Sequence, residues 1–362
     1  MMPEEMNCYQ RVAATLAHEE PDKVPWTGLT GIVTSRSAGI GAEDYARNGE
    51  SMAKSQITFH EKYGIDGMWV FSDVGYHAEG FGSKVKFVGD VEVTPYIEKY
   101  AVEEPSQYEK LQPYDPEKQS RVPVVLKALD IIKAKYGDTV AYGPFVASPM
   151  TTATHVRKLD KVMMDVIEYP DLLHNALKLF TDQWIENCKA LIRHGSNIIW
   201  HAVTRGTGEV LDLGQYLEFG WPYEERLEKA IKRDYPDVFI VEHCCGRSPH
   251  LDVEVKHTAE GFNYWDRCPA KSGVTGDIVS IKYFKEHWGE QKSVVAGLDQ
   301  TKSLLMGDPI DVMAEARDAI LNGAKGGGFM LAAGCEYAVM TKEENLKAIG
   351  RALSKWKYPI NY

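Results

Sequence analysis

Val238-Phe-Ile-Val-Glu-His-Cys-Cys-Gly246 opens as a run of β-branched and aromatic residues and closes in groups that bind metals. A short apolar run of this kind, stopped by glycine, is the pattern of a strand buried in a parallel sheet. Side chains alternate along a strand, so His243 and Cys245 share one face and Cys244 takes the other. A second apolar run, Gly327-Gly-Phe-Met-Leu-Ala-Ala-Gly-Cys335-Glu336, carries another sulfur to the end of another strand. His243, Cys245 and Cys335 are therefore the expected ligands of a zinc ion. A structural zinc site uses four protein donors, so three leave one position open for chemistry. Cys244 is expected to pack against a helix. Cys8, Cys188 and Cys268 have no His or Cys at ligand spacing and read as structural.

Outward from that strand, apolar runs alternate with helical spacings along the chain. Strands are expected at 24–29, 66–73, 139–145 and 197–203 before it, and at 261–266, 293–299 and 327–332 after it. Helices are expected at 7–19, 42–63, 120–136, 156–168, 171–194 and 213–233. Asp308-Pro309 starts another, with Gly323 as its stop, and Thr341-Lys-Glu-Glu344 reads as a capping box for the last. The polar–apolar alternation from Lys84 suits a small β-hairpin excursion around residues 84–102. Strands separated by helices, without a long linker, predict an α/β fold: a single (βα)8 TIM-type barrel domain over 1–362. An open doubly wound sheet is the rival, but no Gly-x-Gly-x-x-Gly follows the first strand.

In such barrels the active site lies at the carboxyl ends of the strands. The expected catalytic residues are Glu336, Asp73 and His201, and the expected substrate contacts are Trp69, Tyr76, Tyr142, Phe145, Asp266 and Asp299. Against these stand plainer roles. Rim acids also cap helices or pair with arginines, and most aromatics are core packing.

A formal net charge of -11 argues against nucleic acid as a partner. There is no basic-then-apolar leader and no run of eighteen apolar residues, so neither secretion nor a membrane span is expected, and the cytoplasm is the default. In a reducing compartment, clustered cysteines suggest metal or catalysis before disulfides.

Several motifs resemble the uroporphyrinogen decarboxylase superfamily, and within it the zinc-dependent, cobamide-linked methyltransferases. Arg11 to Pro25 is similar to the family's opening, an Arg-bearing helix leading to Asp-x-Val-Pro. Phe219-Gly-Trp-Pro-Tyr223 resembles its aromatic-Pro-Tyr segment, His243-Cys-Cys-Gly246 its His-x-Cys-Gly, and Gly334-Cys335 with Glu344-Asn345 its Gly-Cys and following helix start. The resemblance implies a (βα)8 barrel with His243, Cys245 and Cys335 on zinc. The decarboxylases carry an arginine-rich Met-Arg-Gln-Ala-Gly-Arg stretch after the first strand. Residues 27–40 hold one arginine here, Arg36, so porphyrinogen decarboxylation is not expected.

The resemblance further implies methyl transfer between a small methylated compound and the cobalt of a corrinoid protein. The corrinoid belongs to a partner, since no Asp-x-His-x-x-Gly is present. Demethylation of a methoxyaromatic is the favoured direction, on the aromatics near strand ends, the Trp-His-Ala-Val ending of strand 197–203, and Glu336 beside Cys335. Transfer from a methyl-corrinoid protein to a thiol such as coenzyme M, or to tetrahydrofolate, is the alternative. A non-catalytic barrel with structural zinc is another, and association into a homo-oligomer stays open.

Overall fold

Arg11, on the opening helix Cys8–Leu16, ties the amino-terminal end of the fold together. Its guanidinium pairs with Asp22 at 2.7 Å and with Asp66 at 2.6 Å. Asp66 also accepts the backbone N–H of Trp26 at 2.9 Å. The computed structural model describes residues 5–88, 95–267, 271 and 276–360; the expectation for Cys268 and the middle of the hairpin around 84–102 lie outside these.

Ten strands occur in the described residues: β1 (Gly67–Trp69), β2 (Lys84–Lys86), β3 (Tyr96–Lys99), β4 (Ala141–Gly143), β5 (Phe145–Ala147), β6 (Ile198–Val203), β7 (Phe239–Cys244), β8 (Gly261–Asn263), β9 (Ser293–Leu298) and β10 (Phe329–Ala333). Strands β5 to β10 form one parallel sheet in chain order, and β1 pairs in parallel with β4. Pro144 separates β4 from β5, because its nitrogen cannot donate to a ladder. The two pieces are one stave of the barrel. Pro25 similarly reduces the expected first strand to a single parallel bridge, Trp26 with Leu331. Through that bridge, and the 2.8 Å bond from Asp66 N–H to the Trp26 carbonyl, residues 24–27 join β10 to β1. The strand order is that of a (βα)8 barrel, with residues 24–27 lying between β10 and β1 through one bridge and one backbone bond and no ladder. Strands β2 and β3 are the antiparallel excursion.

Close approach between staves dictates one glycine. A Cβ on Gly143 would lie 1.6 Å from the carbonyl oxygen of Ile198, so only hydrogen fits between β4 and β6.

Local chemistry shifts several helix boundaries. Asn48 accepts the N–H groups of Glu50 and Ser51, dividing the expected helix 42–63 into Ala42–Arg47 and Gly49–Tyr63. A helix missing from the sequence reading, Pro149–Val156, starts where the Ser148 side chain accepts Thr151 N–H. Its Thr-rich, β-branched composition hides it. The expected helix 213–233 becomes Leu213–Gln215, a π-helical turn Tyr216–Gly220, and Trp221–Asp234. The Thr341 capping box does not form: the last helix is Glu343–Leu353, with Lys342 as an N-cap that supplies no side-chain bond. Asp308 does cap Pro309–Gly323, accepting from Ile310 and Asp311. No helix among the described residues is long and apolar enough to cross a membrane.

Candidate metal centre at the barrel mouth

The parallel ladder decides which side chains of β6 and β7 meet. Register pairs Ala202 with His243 and His201 with Glu242. Partners in a parallel ladder point to one side, so His243 turns inward while Glu242, His201 and Cys244 turn out toward the helices. Ring contacts fit that parity: Trp200 packs edge-on against Trp69 at 4.5 Å and lies 5.8 Å from the His243 ring.

Cys245 follows β7 and Cys335 follows β10. The two sulfurs stand 3.6 Å apart, and one donor atom each from His243, Cys245 and Cys335 falls within 4.8 Å of the others. Two thiolates on a tetrahedral zinc, each at about 2.3 Å, are separated by about 3.8 Å. The donor set therefore fits zinc in both chemistry and spacing. Among the described residues no fourth His, Cys, Asp or Glu joins the group. The hydrogen bond from Cys335 pushes the Cys245 thiol down in pKa, and the charge of Arg205 helps. The same bond holds the Cys335 proton and raises that thiol.

Glu336 adjoins these sulfurs. Burial, then Cys335 and Asp73, push its carboxyl up to about 8. Its Oε1 would be 2.9 Å from a Cβ on Gly31, beside the Phe71 ring that stacks on Phe145 at 5.3 Å. Glu336 thus lies beside the cluster, whereas Phe145, at the start of β5, is buried in the core against Phe71. Asn263, absent from the sequence reading, sits directly beside His243 in the ladder and accepts from its Nδ1 at 2.6 Å. Only the pairing of two strands reveals it.

The other expected site residues lie elsewhere or are engaged. His201 is no mouth residue: its Nδ1 bonds Glu228 of helix Trp221–Asp234 at 2.8 Å, and both are buried. Asp73 is at the rim, but its Oδ2 is taken by Arg121 and Ser72 and its Oδ1 by Gly75 N–H, so it is not a free base. Tyr76 donates to the Phe145 carbonyl and packs on Trp184, inside the core. Tyr142 reaches back to the carbonyl of Gly137, at the opposite end of the staves. Trp69 donates to Thr27 Oγ1 at 2.7 Å in the barrel interior. Asp299 accepts the N–H groups of Thr301 and Lys302, a turn cap. Asp266 accepts Gly297 N–H and pairs with Arg267; burial raises its carboxyl to about 7. Arg36 is spent on the carbonyls of Val339 and Thr341. Cys244 meets Glu254 of helix Leu251–Glu254, as its parity requires.

Behind the wall of β7, Glu228, Glu242 and His257 form a second close group, wholly buried. Burial disfavours charge on His257, but Glu242, with Nδ1 to Oε2 at 2.7 Å, and then Glu228 and Glu224 outweigh it, raising the imidazole to about 10.

Fold and site together define a (βα)8-barrel protein with a His/Cys/Cys donor cluster at the carboxyl ends of β7 and β10. The profile of the family "Uroporphyrinogen decarboxylase (URO-D)" matches residues 9–356. The chain belongs to the URO-D family and, within it, to the corrinoid methyltransferase branch. It is 25% identical to the methylcobamide:CoM methyltransferase MtbA of Methanosarcina acetivorans, over 96% of this chain and 98% of that protein. It is 26% identical to the methylcobamide:CoM methyltransferase MtaA of Methanosarcina barkeri, over 96% and 97%. A solved methyltransferase from Methanosarcina mazei superposes with a TM-score of 0.85 at 26% identity, covering 97% of this chain and 99% of that one.

Proposed function

We propose that this chain, acting as one domain over 1–362, is a methyltransferase that takes a methyl group from a methyl-corrinoid protein and passes it to a thiol, with His243, Cys245 and Cys335 holding zinc. One observation carries the metal: the two sulfurs at 3.6 Å with His243 beside them, at the catalytic end of the barrel. The relatives' activities, transfer from methylcobamide to coenzyme M, support the direction.

The relatives' activities favour this over methoxyaromatic demethylation, two of whose grounds also fall away. Tyr76 and Tyr142 are core or base residues, and His201 in the Trp-His-Ala-Val ending faces the helices.

Zinc held by these three donors supplies a Lewis acid that lowers the pKa of a thiol at the open position. The chain's residues arrange the rest. Asn263 fixes the His243 ring, and Glu336, whose carboxyl is raised to about 8, would accept the thiol proton when ionised. A thiolate held there would take the methyl carbon, and the electron pair of the cobalt–carbon bond would remain with the partner's corrinoid.

The test combines metal analysis with transfer. The purified protein should hold one zinc, Cys245→Ser and Cys335→Ser should lose it, and methyl should pass from methylcobalamin to a thiol. Full zinc in either variant removes the ligand set. Methylation of no thiol, with demethylation of a methoxyaromatic instead, reverses the direction.

A further inference from the structure

The outer face of β7 carries a second donor group. Ladder register sets His201 of β6 beside Glu242 of β7, and both turn away from the barrel interior. There they meet Glu228, on helix Trp221–Asp234, and His257, in the turn after helix Leu251–Glu254. One donor atom each from Glu228, Glu242 and His257 falls within 4.8 Å of the others, and all three residues are buried. Donors about 2.1 Å from one ion stand about 3–4 Å apart, so the group needs little movement to surround one. The Trp221 ring stacks on His257 at 5.6 Å and holds its plane.

Hydrogen bonds within the group do not satisfy it. His257 Nδ1 bonds Glu242 Oε2 at 2.7 Å, while Glu228 takes His201 Nδ1 at 2.8 Å and the Ala259 N–H at 2.7 Å. Among the described residues, Glu242 Oε1, His257 Nε2 and His201 Nε2 are buried without a hydrogen-bond partner. So is Glu224 Oε1, one helical turn before Glu228. The nearby base does not reach them: Lys292 spends its ammonium on the carbonyls of His257 and Ala259. Buried polar atoms left bare are costly. Protons do not cure this, because protonating a ring nitrogen exchanges a bare lone pair for a bare N–H. A cation satisfies oxygen and nitrogen lone pairs together. Two carboxylates, a neutral imidazole and a divalent ion also sum to zero charge, which suits burial.

We propose that Glu228, Glu242 and His257 hold a structural divalent cation, manganese(II), between β7 and the helix behind it. Two carboxylates to one imidazole, with no sulfur, suit a harder ion than the zinc that the Cys245–Cys335 pair attracts. The ion ties helix Trp221–Asp234 and the turn at His257 to the outside of the strand whose inner face carries His243. This site is independent of the direction of methyl transfer.

Full-length protein is produced in medium containing zinc and manganese, desalted and analysed for both metals, and its crystals are measured on either side of the manganese absorption edge. One manganese per chain is expected, with an anomalous peak among Glu228, Glu242 and His257 that fades below the edge. Glu242→Gln and His257→Gln should each lose the manganese and keep the zinc, and Cys245→Ser should do the reverse. Ordered water alone at this position in the wild type, with no manganese beyond trace, overturns the proposal whether or not the variants fold. Manganese that stays in both variants also overturns it, since surface carboxylates would then be the binders. Zinc is counted separately, so failure here leaves the reading of the barrel mouth to its own test.

Discussion

Asn263 fixes the tautomer of His243. Its Nδ2 donates to the carbonyls of Val295 at 2.5 Å and Ala333 at 3.0 Å, so its Oδ1 must face the imidazole, 2.6 Å from Nδ1. An amide oxygen only accepts, so Nδ1 carries the proton and Nε2 keeps its lone pair for a metal. Asn263→Ala should therefore weaken zinc affinity by roughly 10- to 100-fold, measured by competition with a chromophoric chelator. Unchanged affinity would mean that the ring is oriented by something else.

The rim depends on a buried ion pair. Arg121 joins Asp73, Ser72 and Glu79, and both Arg121 and Asp73 are buried. Removing one partner strands the other charge. Arg121→Ala should cost about 3–5 kcal/mol in urea unfolding, and Asp73→Asn should also destabilise. If Asp73 were instead the working base, Asp73→Asn would abolish transfer at unchanged stability.

Stability should fall at alkaline pH through His257. Its pKa rises from 6.5 unfolded to about 10 folded. The proton is bound more tightly in the native state, so this contribution is complete below pH 6.5 and is lost progressively toward pH 10. Denaturation midpoints measured over that window should decline, and Glu242→Gln should flatten the decline while lowering stability at pH 6. An equal slope in the variant would assign the effect to other groups.

Gly143→Ala should fail to give soluble folded protein. The added methyl would meet the Ile198 carbonyl at 1.6 Å, and that atom belongs to a backbone with little room to retreat. Circular dichroism and solubility check this directly. A variant that melts within a few degrees of the wild type would show that the staves can part.

The alternation of apolar runs with helical spacings was enough to predict the barrel, because each strand buried on both faces reads as an uninterrupted apolar segment. The two-residue period likewise put His243 and Cys245 together and turned Cys244 away. Proline blurred the picture at Pro25 and Pro144, where a missing donor thins a strand to a bridge or splits it.

Chain order also made His243, Cys245 and Cys335 candidates, since each ends an apolar run. Their meeting was a matter of tertiary structure: ninety positions separate Cys245 from Cys335, and only the curvature of the sheet through β8 and β9 brings the sulfurs to 3.6 Å. Strand register, which no single strand encodes, turned His201 toward Glu228 and set Asn263 against His243. Packing likewise assigned Asp73 to Arg121 and Asp299 to a turn. Periodicity says which way a side chain points along its own strand, but what it meets depends on the neighbour that the fold places beside it.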